Sequence, residues 1–368
     1  MKVLFDPQIF TSQVYGGVSK YFAEVIARMP ADSWTVPAWL SNNEYARHYG
    51  LFKQIPFLPK YDFRGKGRFM VELIKPSAWA YMRLKRKQYD VVHQTNFDTY
   101  LFNAIGNKPL VTTYHDINFL TEHNYVPRMV KLQTASLRRA DAVVAISNNT
   151  KADMLRYFDI DPAKIRVIYH GIDTPVIPET LSGRLVKDPY ILYVGARHLF
   201  KNFDTFITAF AQIAHRYPEV KVVCTRSDIT PAEGEMLKRL GVADRVQVVK
   251  ADEMTLNRLY RDALFFVFPS KYEGFGMPIL EAMVNGCPVA LANASCFPEI
   301  AGDSGLYFDP SDVDSIAGAL ERMLDDENLR SELREKGYRR AAQFSWQRTA
   351  DMHIELNLIH NRRCRRSY

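Results

Sequence analysis

Residues 263–310 read ALFFVFPSKYEGFGMPILEAMVNGCPVALANASCFPEIAGDSGLYFDP, and the order of apolar runs and breakers in them decides the fold. Leu264-Phe265-Phe266-Val267-Phe268 is short, aromatic and halted by Pro269, the pattern of a buried strand in a parallel sheet. The loop Ser270-Lys271-Tyr272-Glu273-Gly274-Phe275-Gly276 follows, with glycines where the backbone must turn sharply. Pro278 suits the opening of a helix that runs through Val284 and is stopped by Asn285-Gly286. Pro288-Val289-Ala290-Leu291-Ala292 then reads as the next strand. The unit is strand, glycine-rich loop, helix, strand.

A loop of small residues feeding a helix N-terminus aims backbone N–H groups and the positive end of the helix dipole at one point, which suits an anion. Two carboxylates flank that point, Glu273 in the loop and Glu281 in the first turns of the helix. Glu281 could be no more than a helix-start charge. Glu273, beside a glycine-rich turn, has no such explanation. Together they could hold sugar hydroxyls with a phosphate between them. This pair, with seven residues between its members inside EGFGMPILEA, resembles the E-x7-E motif of retaining GT-B glycosyltransferases of family 4. The preceding FPS and the later PEIAGDSGLYFDP agree with that resemblance.

At 368 residues the chain is long enough for two domains with separate cores. Hydrophobic residues make up 47% and charged residues 24%, which is ordinary for a globular protein and argues against a disordered chain. Cys224, Cys287, Cys296 and Cys364 show no C-x-x-C pairing, so a reduced cytosolic protein without structural zinc is expected. Met1-Lys2-Val3-Leu4-Phe5 meets Asp6-Pro7 too soon for a signal peptide, and no apolar run approaches a membrane span. The net charge of +7 favours an anionic partner. No nucleic-acid signature is visible, which leaves an anionic small substrate or an anionic membrane surface.

Val3-Leu4-Phe5 is a first strand, and Tyr15-Gly16-Gly17 precedes a helix over 18–26, again a phosphate-friendly order. Alone, Gly16-Gly17 is as consistent with a turn. The resemblance implies that this loop faces the donor diphosphate and the acceptor. Between Tyr61 and Tyr89 the sequence turns basic and aromatic, with Arg64, Lys66, Arg68, Lys75, Arg83, Lys85, Arg86 and Lys87 among Phe63, Phe69, Trp79 and Tyr81. Either this is a solvated helix face or a surface that lies on anionic lipid. Strands over 90–93 and 110–114 follow, the second ending at His115-Asp116. A His-Asp pair past a strand end could orient a sugar, assist proton transfer or merely cap a turn. In the resembled family such a pair faces the donor sugar. Two further strands, over 142–146 and 165–168, complete the first half, with Ser147 or Asn148 as a helix cap.

The proline-containing segment 174–189 reads as a linker, after which Tyr190 to Gly195 is a strand ending in glycine. Arg197 and Lys201 share the strand-to-helix loop before Phe203, a good pair of phosphate ligands. The resemblance assigns them to the donor diphosphate, at an interval one residue tighter than the family's commonest. Glycines that usually follow the next strand are replaced by Cys224-Thr225-Arg226. Lys250-Ala251-Asp252 stands where relatives hold the nucleotide base. Asp312-Val313-Asp314 matches the D-x-D of metal-dependent enzymes, yet acids at a helix start are expected without metal. From Phe344 to Ile359 a long helix capped by Ser345 should return to the first domain, and Arg362-Arg363-Cys364-Arg365-Arg366 closes the chain with a basic cluster, solvated or on the membrane.

The resemblance covers the whole chain. It implies a GT-B fold: two doubly wound, Rossmann-like parallel-sheet α/β domains with a cleft between them. The expected domains are 1–180 on the acceptor side, completed by 346–368, and 187–345 for the donor. The implied reaction is metal-independent and cofactor-free transfer of a hexose, with retention, from a nucleotide-sugar to a saccharide or lipid-linked acceptor. The implied catalytic set is Glu273, His115, Arg197 and Lys201. The donor-binding set adds Gly16, Gly17, Gly274, Phe275, Gly276, Met277 and Glu281. FDPQIF…YGGVSKYF and the YHD strand end are most similar to enzymes of bacterial O-antigen and capsule assembly, so mannose from GDP-mannose is the implied donor. The implied location is cytoplasmic, peripheral at the inner face of the cytoplasmic membrane. A nucleotide-sugar epimerase of the same fold, or a non-catalytic sugar-binding homologue, is the competing reading.

Overall fold

The computed structural model describes residues 1–117, 120, 126–181, 183–197 and 199–366. The strands β1 (Val3–Phe5), β2 (Trp34–Thr35), β3 (Val91–Gln94), β4 (Leu110–Tyr114), β5 (Ala142–Ala145) and β6 (Ile165–Val167) form one sheet in the order β2-β1-β3-β4-β5-β6. The strands β7 (Tyr190–Tyr193), β8 (Lys221–Thr225), β9 (Val246–Val249), β10 (Phe265–Phe268), β11 (Val289–Ala292) and β12 (Gly305–Phe308) form the other, in the order β12-β11-β10-β7-β8-β9. Every pairing in both sheets is parallel. By contacts the chain divides into Met1–Gly171 with Trp346–Tyr368, and Ile172–Ser345. The proline-containing segment 174–189 therefore goes with the second unit.

Parallel sheets are covered on both faces, which is why the strands read as unbroken apolar runs. Phe265, Phe266 and Val267 are fully buried and Phe268 nearly so. In the first unit, side chains alternate between two helical layers. Val91, Val111, Ala142 and Val144 pack with Met352 and Leu356 of the returning helix Trp346–Arg366. Leu4, Val92 and Leu110 pack instead with Ala78 and Met82 of the basic helix Lys66–Leu84. The same alternation decides where polar strand residues go: His93 and Thr113 share the layer of Val91 and Val111.

Among the local elements with no counterpart in the sequence reading are two short helices. Residues Gln8–Ser12 form a short buried helix, and Glu44–His48 form another, capped by Asn43, whose side chain accepts from the Ala46 N–H at 2.8 Å. The side chains of the basic tail at 362–366 lie outside the described residues.

Candidate active site

In the second sheet the strand order reverses between β7 and β10, and ligands of open α/β sheets bind outside the strand C-termini at such a point. The loops that follow these two neighbours carry Arg197 and Lys201 on one side and Glu273, Gly274, Phe275 and Gly276 on the other. Asn202 ties them together. It sits in the left-handed region at φ 60°, which asparagine tolerates better than most residues, and its Nδ2 donates to the carbonyls of Pro269 (3.1 Å) and Pro310 (2.7 Å). The Lys271 N–H adds a 2.8 Å bond to the Phe200 carbonyl. The stitching brings Lys201 Nζ within 2.5 Å of Glu273 Oε1, with both side chains largely shielded from solvent.

From behind, Ser295 clamps the Glu273 backbone: its hydroxyl donates to the Glu273 carbonyl at 2.6 Å and accepts from the Glu273 N–H at 3.2 Å. Ser295 itself is left-handed (φ 53°). The helix Met277–Val284 then starts at Gly276, whose φ of 85° and ψ of 47° turn the chain into it. A Cβ there would stand 3.1 Å from Ile279 Cδ1 and 3.2 Å from Phe297 Cε1. Gly276→Ala should therefore lower stability by about 1–2 kcal/mol, read as a reduced urea midpoint, because left-handed backbone alone costs an L-residue that much. Phe275 is buried with its ring 6.0 Å from Phe344, so the side chain serves the core and leaves its backbone to the loop. Glu281 is half-buried one turn along, and the Tyr260 hydroxyl donates to its Oε2 at 3.3 Å.

Arg197 is held more firmly than its loop position suggests. Nε donates to Glu233 Oε1 at 2.9 Å, and one terminal nitrogen reaches Glu233 Oε2 (3.2 Å) and the carbonyls of Ser227 (2.9 Å) and Asp228 (2.8 Å). The other terminal nitrogen is buried without a hydrogen-bond partner. Glu233 also receives the Thr230 N–H in a capping box that starts the helix Pro231–Arg239. Partial burial pushes its carboxyl up, but the bonds from Arg197 and Thr230 outweigh this and hold it below the usual range. In the sequence, Thr230-Pro231-Ala232-Glu233 looks like an ordinary helix start, and nothing there signals the partner 36 positions earlier.

In the first unit, Gly16 and Gly17 head the helix Gly17–Ala27. The Gln13 carboxamide folds over that end and accepts from the Ser19 N–H at 3.3 Å, in the space where a Cβ on Gly16 would sit only 2.2 Å from Gln13 Oε1. Four residues into the helix, Tyr21 stands at the centre of a histidine cluster. Its ring centroid lies 5.0 Å from His115, 4.7 Å from His170 and 5.7 Å from His353. Its hydroxyl is 2.5 Å from His353 Nε2. His93 completes the group, 5.2 Å from His353 by centroids and bonded through Nε2 to Thr113 Oγ1 at 2.8 Å. Loss of hydration holds His115 and His353 down to about 3, and drives His93 and His170 well below the ordinary imidazole value. His115 Nε2 is buried without a hydrogen-bond partner.

Residues 182–340 match the family of glycosyl transferases group 1, and residues 15–175 match Glycosyltransferase Family 4. The chain is also 31% identical over 294 residues to the O-antigen chain mannosyltransferase B of Escherichia coli, covering 75% of each protein. The chain belongs to the family 4, group 1 glycosyltransferases. Another relative of this glycosyltransferase is the serotype-specific mannosyltransferase WbdA of Escherichia coli, 30% identical over 240 residues; the match covers 60% of the chain but only 29% of that longer protein. Among solved structures, the Anabaena protein HepE in complex with UDP and glucose superimposes with a TM-score of 0.76 over 96% of this glycosyltransferase and 98% of that chain, at 19% identity. The likeness at that identity is one of fold.

Asp312, of the Asp312-Val313-Asp314 match to D-x-D, caps the glycosyltransferase's helix Val313–Asp325 by accepting from the Asp314 N–H at 2.9 Å. Among the described residues no group of three or more His, Cys, Asp or Glu side chains could hold a metal ion. Among them, too, no helix is long and apolar enough to cross a membrane.

Proposed function

We propose that this glycosyltransferase moves a hexose from a nucleotide-sugar, mannose from GDP-mannose first among the candidates, to a hydroxyl of a glycan or lipid-linked saccharide during cell-surface polysaccharide synthesis. The observation that carries this reading is the contact of Lys201 with Glu273 at the strand-order reversal, beneath a helix headed by Gly276. A leaving diphosphate there meets an ammonium, the free terminal nitrogen of Arg197 and the backbone N–H groups of Gly274 to Met277. Glu281, steadied by Tyr260, takes the ribose hydroxyls, and Glu273 a donor-sugar hydroxyl. His115 and the Gly16-Gly17 turn are the first unit's candidates for roles toward the donor sugar and the acceptor. The mannosyl donor is supported by the mannosyltransferases among the relatives.

The acids named in the donor unit, Glu273 and Glu281, cluster with the phosphate ligands rather than standing as a base for single inversion. Transfer should thus retain the donor's α configuration and proceed in EDTA, since no ligand cluster among the described residues calls for a cation. Proton NMR of the first-formed glycoside, made with GDP-mannose and with UDP-sugars in parallel, decides among these. A β-linked product would overturn retention and make His115 the leading base. Loss of turnover in EDTA, restored by one cation, would overturn metal independence.

The basic helix supports peripheral attachment at the inner face of the cytoplasmic membrane. Tyr61, Phe63, Phe69, Leu73 and Leu84 are exposed on it and before it, beside exposed Arg64, Arg68, Arg83, Lys85 and Lys87. Lys66 is instead buried against the carbonyls of Leu58 and Tyr61, Lys75 pairs with Asp98, and Arg86 holds the Ala104 carbonyl. Replacing Arg83, Lys85 and Lys87 by glutamine should weaken binding to phosphatidylserine vesicles by about 3 kcal/mol at low salt, from about 1 kcal/mol per cation. Unchanged vesicle pelleting would leave the strip a solvated face.

A further inference from the structure

At the opposite, N-terminal ends of β7 and β10, the second unit carries a pocket of about 310 Å³ lined by Arg184, Arg330, Arg334, the Arg261–Asp262 pair and Glu327. The donor loops leave the C-terminal ends of the same two strands. The four residues of β10 alone, at about 3.3 Å each, separate the two ends by about 13 Å. None of the pocket residues belongs to the candidate donor site.

We propose that this pocket is a second anion site, taking the diphosphate group of a small soluble ligand. The charges within it are unevenly matched. Arg261 is satisfied by Asp262, through bonds of 2.8 and 3.1 Å. Arg184, Arg330 and Arg334 have no carboxylate among the described residues within ion-pair range. Backbone carbonyls aim them instead: Arg184 donates to Asp262 O (2.9 Å), Arg330 to Met323 O (2.6 Å) and Leu324 O (2.9 Å), and Arg334 to Gly286 O (2.8 Å). Each keeps further N–H groups beyond those bonds, because a guanidinium has five donors. Glu327, exposed in the first turn of the helix Glu327–Ala341, is the one other acid of the lining.

Three fixed cations around one concavity repel each other, and a low-dielectric wall behind them sharpens the field they share. An anion relieves that repulsion. Guanidinium forks pair bidentately with phosphoryl oxygens, and three forks around one pocket suit two linked phosphoryl groups better than one carboxylate. The pocket's volume is at the lower end of those that hold small-molecule ligands, and its concavity favours such a ligand over the flat face of an acidic protein.

Hydrogen exchange of the full chain, with inorganic pyrophosphate and separately with GDP as probes, tests the site apart from the donor loops. Pyrophosphate should protect 258–264 and 326–334, and the Arg330→Ala/Arg334→Ala variant should lose that protection while 195–202 and 273–280 respond as in the wild type. Arg184→Ala, on the exposed segment before β7, gives a second variant that spares the helix, with an expected loss of at least about 10-fold in affinity at this footprint, the scale of one charge-assisted bond. Equal footprints from both probes mean that the site reads the diphosphate alone. A stronger one from GDP means that the nucleoside adds contacts. Absence of protection at 326–334 with either probe, or its persistence in both variants, would overturn the proposal.

Discussion

Between pH 6.5 and about 3 the first unit should lose stability with every step of acidification. His93, His115, His170 and His353 are held neutral by burial, with folded values far below the 6.5 of an exposed imidazole. The unfolded chain binds those protons and the folded one does not, so stability rises with pH through this window and is fully present above it. Asp6 acts in the opposite sense. Burial pushes its carboxyl up from 3.8 to about 7 in spite of the hydrogen bond from Tyr100, so the folded state holds one proton that the unfolded chain releases between those values. Four protons taken up less one released leaves about three, or ~4 kcal/mol per pH unit near pH 5.5 at ~1.4 kcal/mol per proton. Urea midpoints between pH 7.5 and 5 check this. Hydrogen exchange should show β3 and β4 losing protection while β7 and β10 keep theirs. A midpoint independent of pH over that range would mean that the cluster admits protons without opening.

Lys201→Ala should lower kcat/KM by roughly 10²–10³, about 2.7–4 kcal/mol, the scale measured when one preorganised donor to a developing anion is removed. An ammonium has three N–H donors, and the bond to Glu273 uses one of them. The rest can meet a diphosphate while Glu273 keeps the side chain extended along the rings of Phe200 and Phe268, whose centroids lie 5.1 and 5.9 Å from Nζ. Glu273→Ala should lose activity by a similar factor. If the two act as one unit, the double variant should be little worse than either single one, the mark of strong coupling between contacting residues. Stability should move far less than activity, so urea unfolding separates the two effects. Turnover within threefold of wild type in Lys201→Ala would remove Lys201 from the diphosphate site.

What could be read without coordinates was local. Phe265–Phe268 and Val289–Ala292 are apolar throughout because both faces of a parallel sheet are covered, so their runs stand out in one dimension. Gly276 was legible because only a left-handed turn requires a glycine between Phe275 and Met277. The reversal of strand order between β7 and β10, which gives Arg197 and Glu273 a common neighbourhood, is a property of the folded sheet alone. Glu233 was missed because its capping role hides its bond to Arg197. The histidine cluster was missed for a related reason: Tyr21 and His353 meet across 332 positions, and a lone histidine on an apolar helix face carries no signal of its partners. The short helix Gln8–Ser12 lacks a periodic apolar stripe long enough to register.

The return of the helix Trp346–Arg366 to the first unit sets the order in which the chain can be finished during synthesis. Trp346, 5.7 Å from the His170 ring, and His353, bonded to Tyr21, are the last parts of the first unit to leave the ribosome. Until they do, the layer of Val91, Val111 and Val144 stays open to water on one face. The whole of Ile172–Ser345 is translated in the meantime, which takes about 9–35 s at ~5–20 residues per second. The second unit thus has time to close first, although its residues come later. The first waits as a partly covered sheet whose exposed apolar face is a natural client for a chaperone.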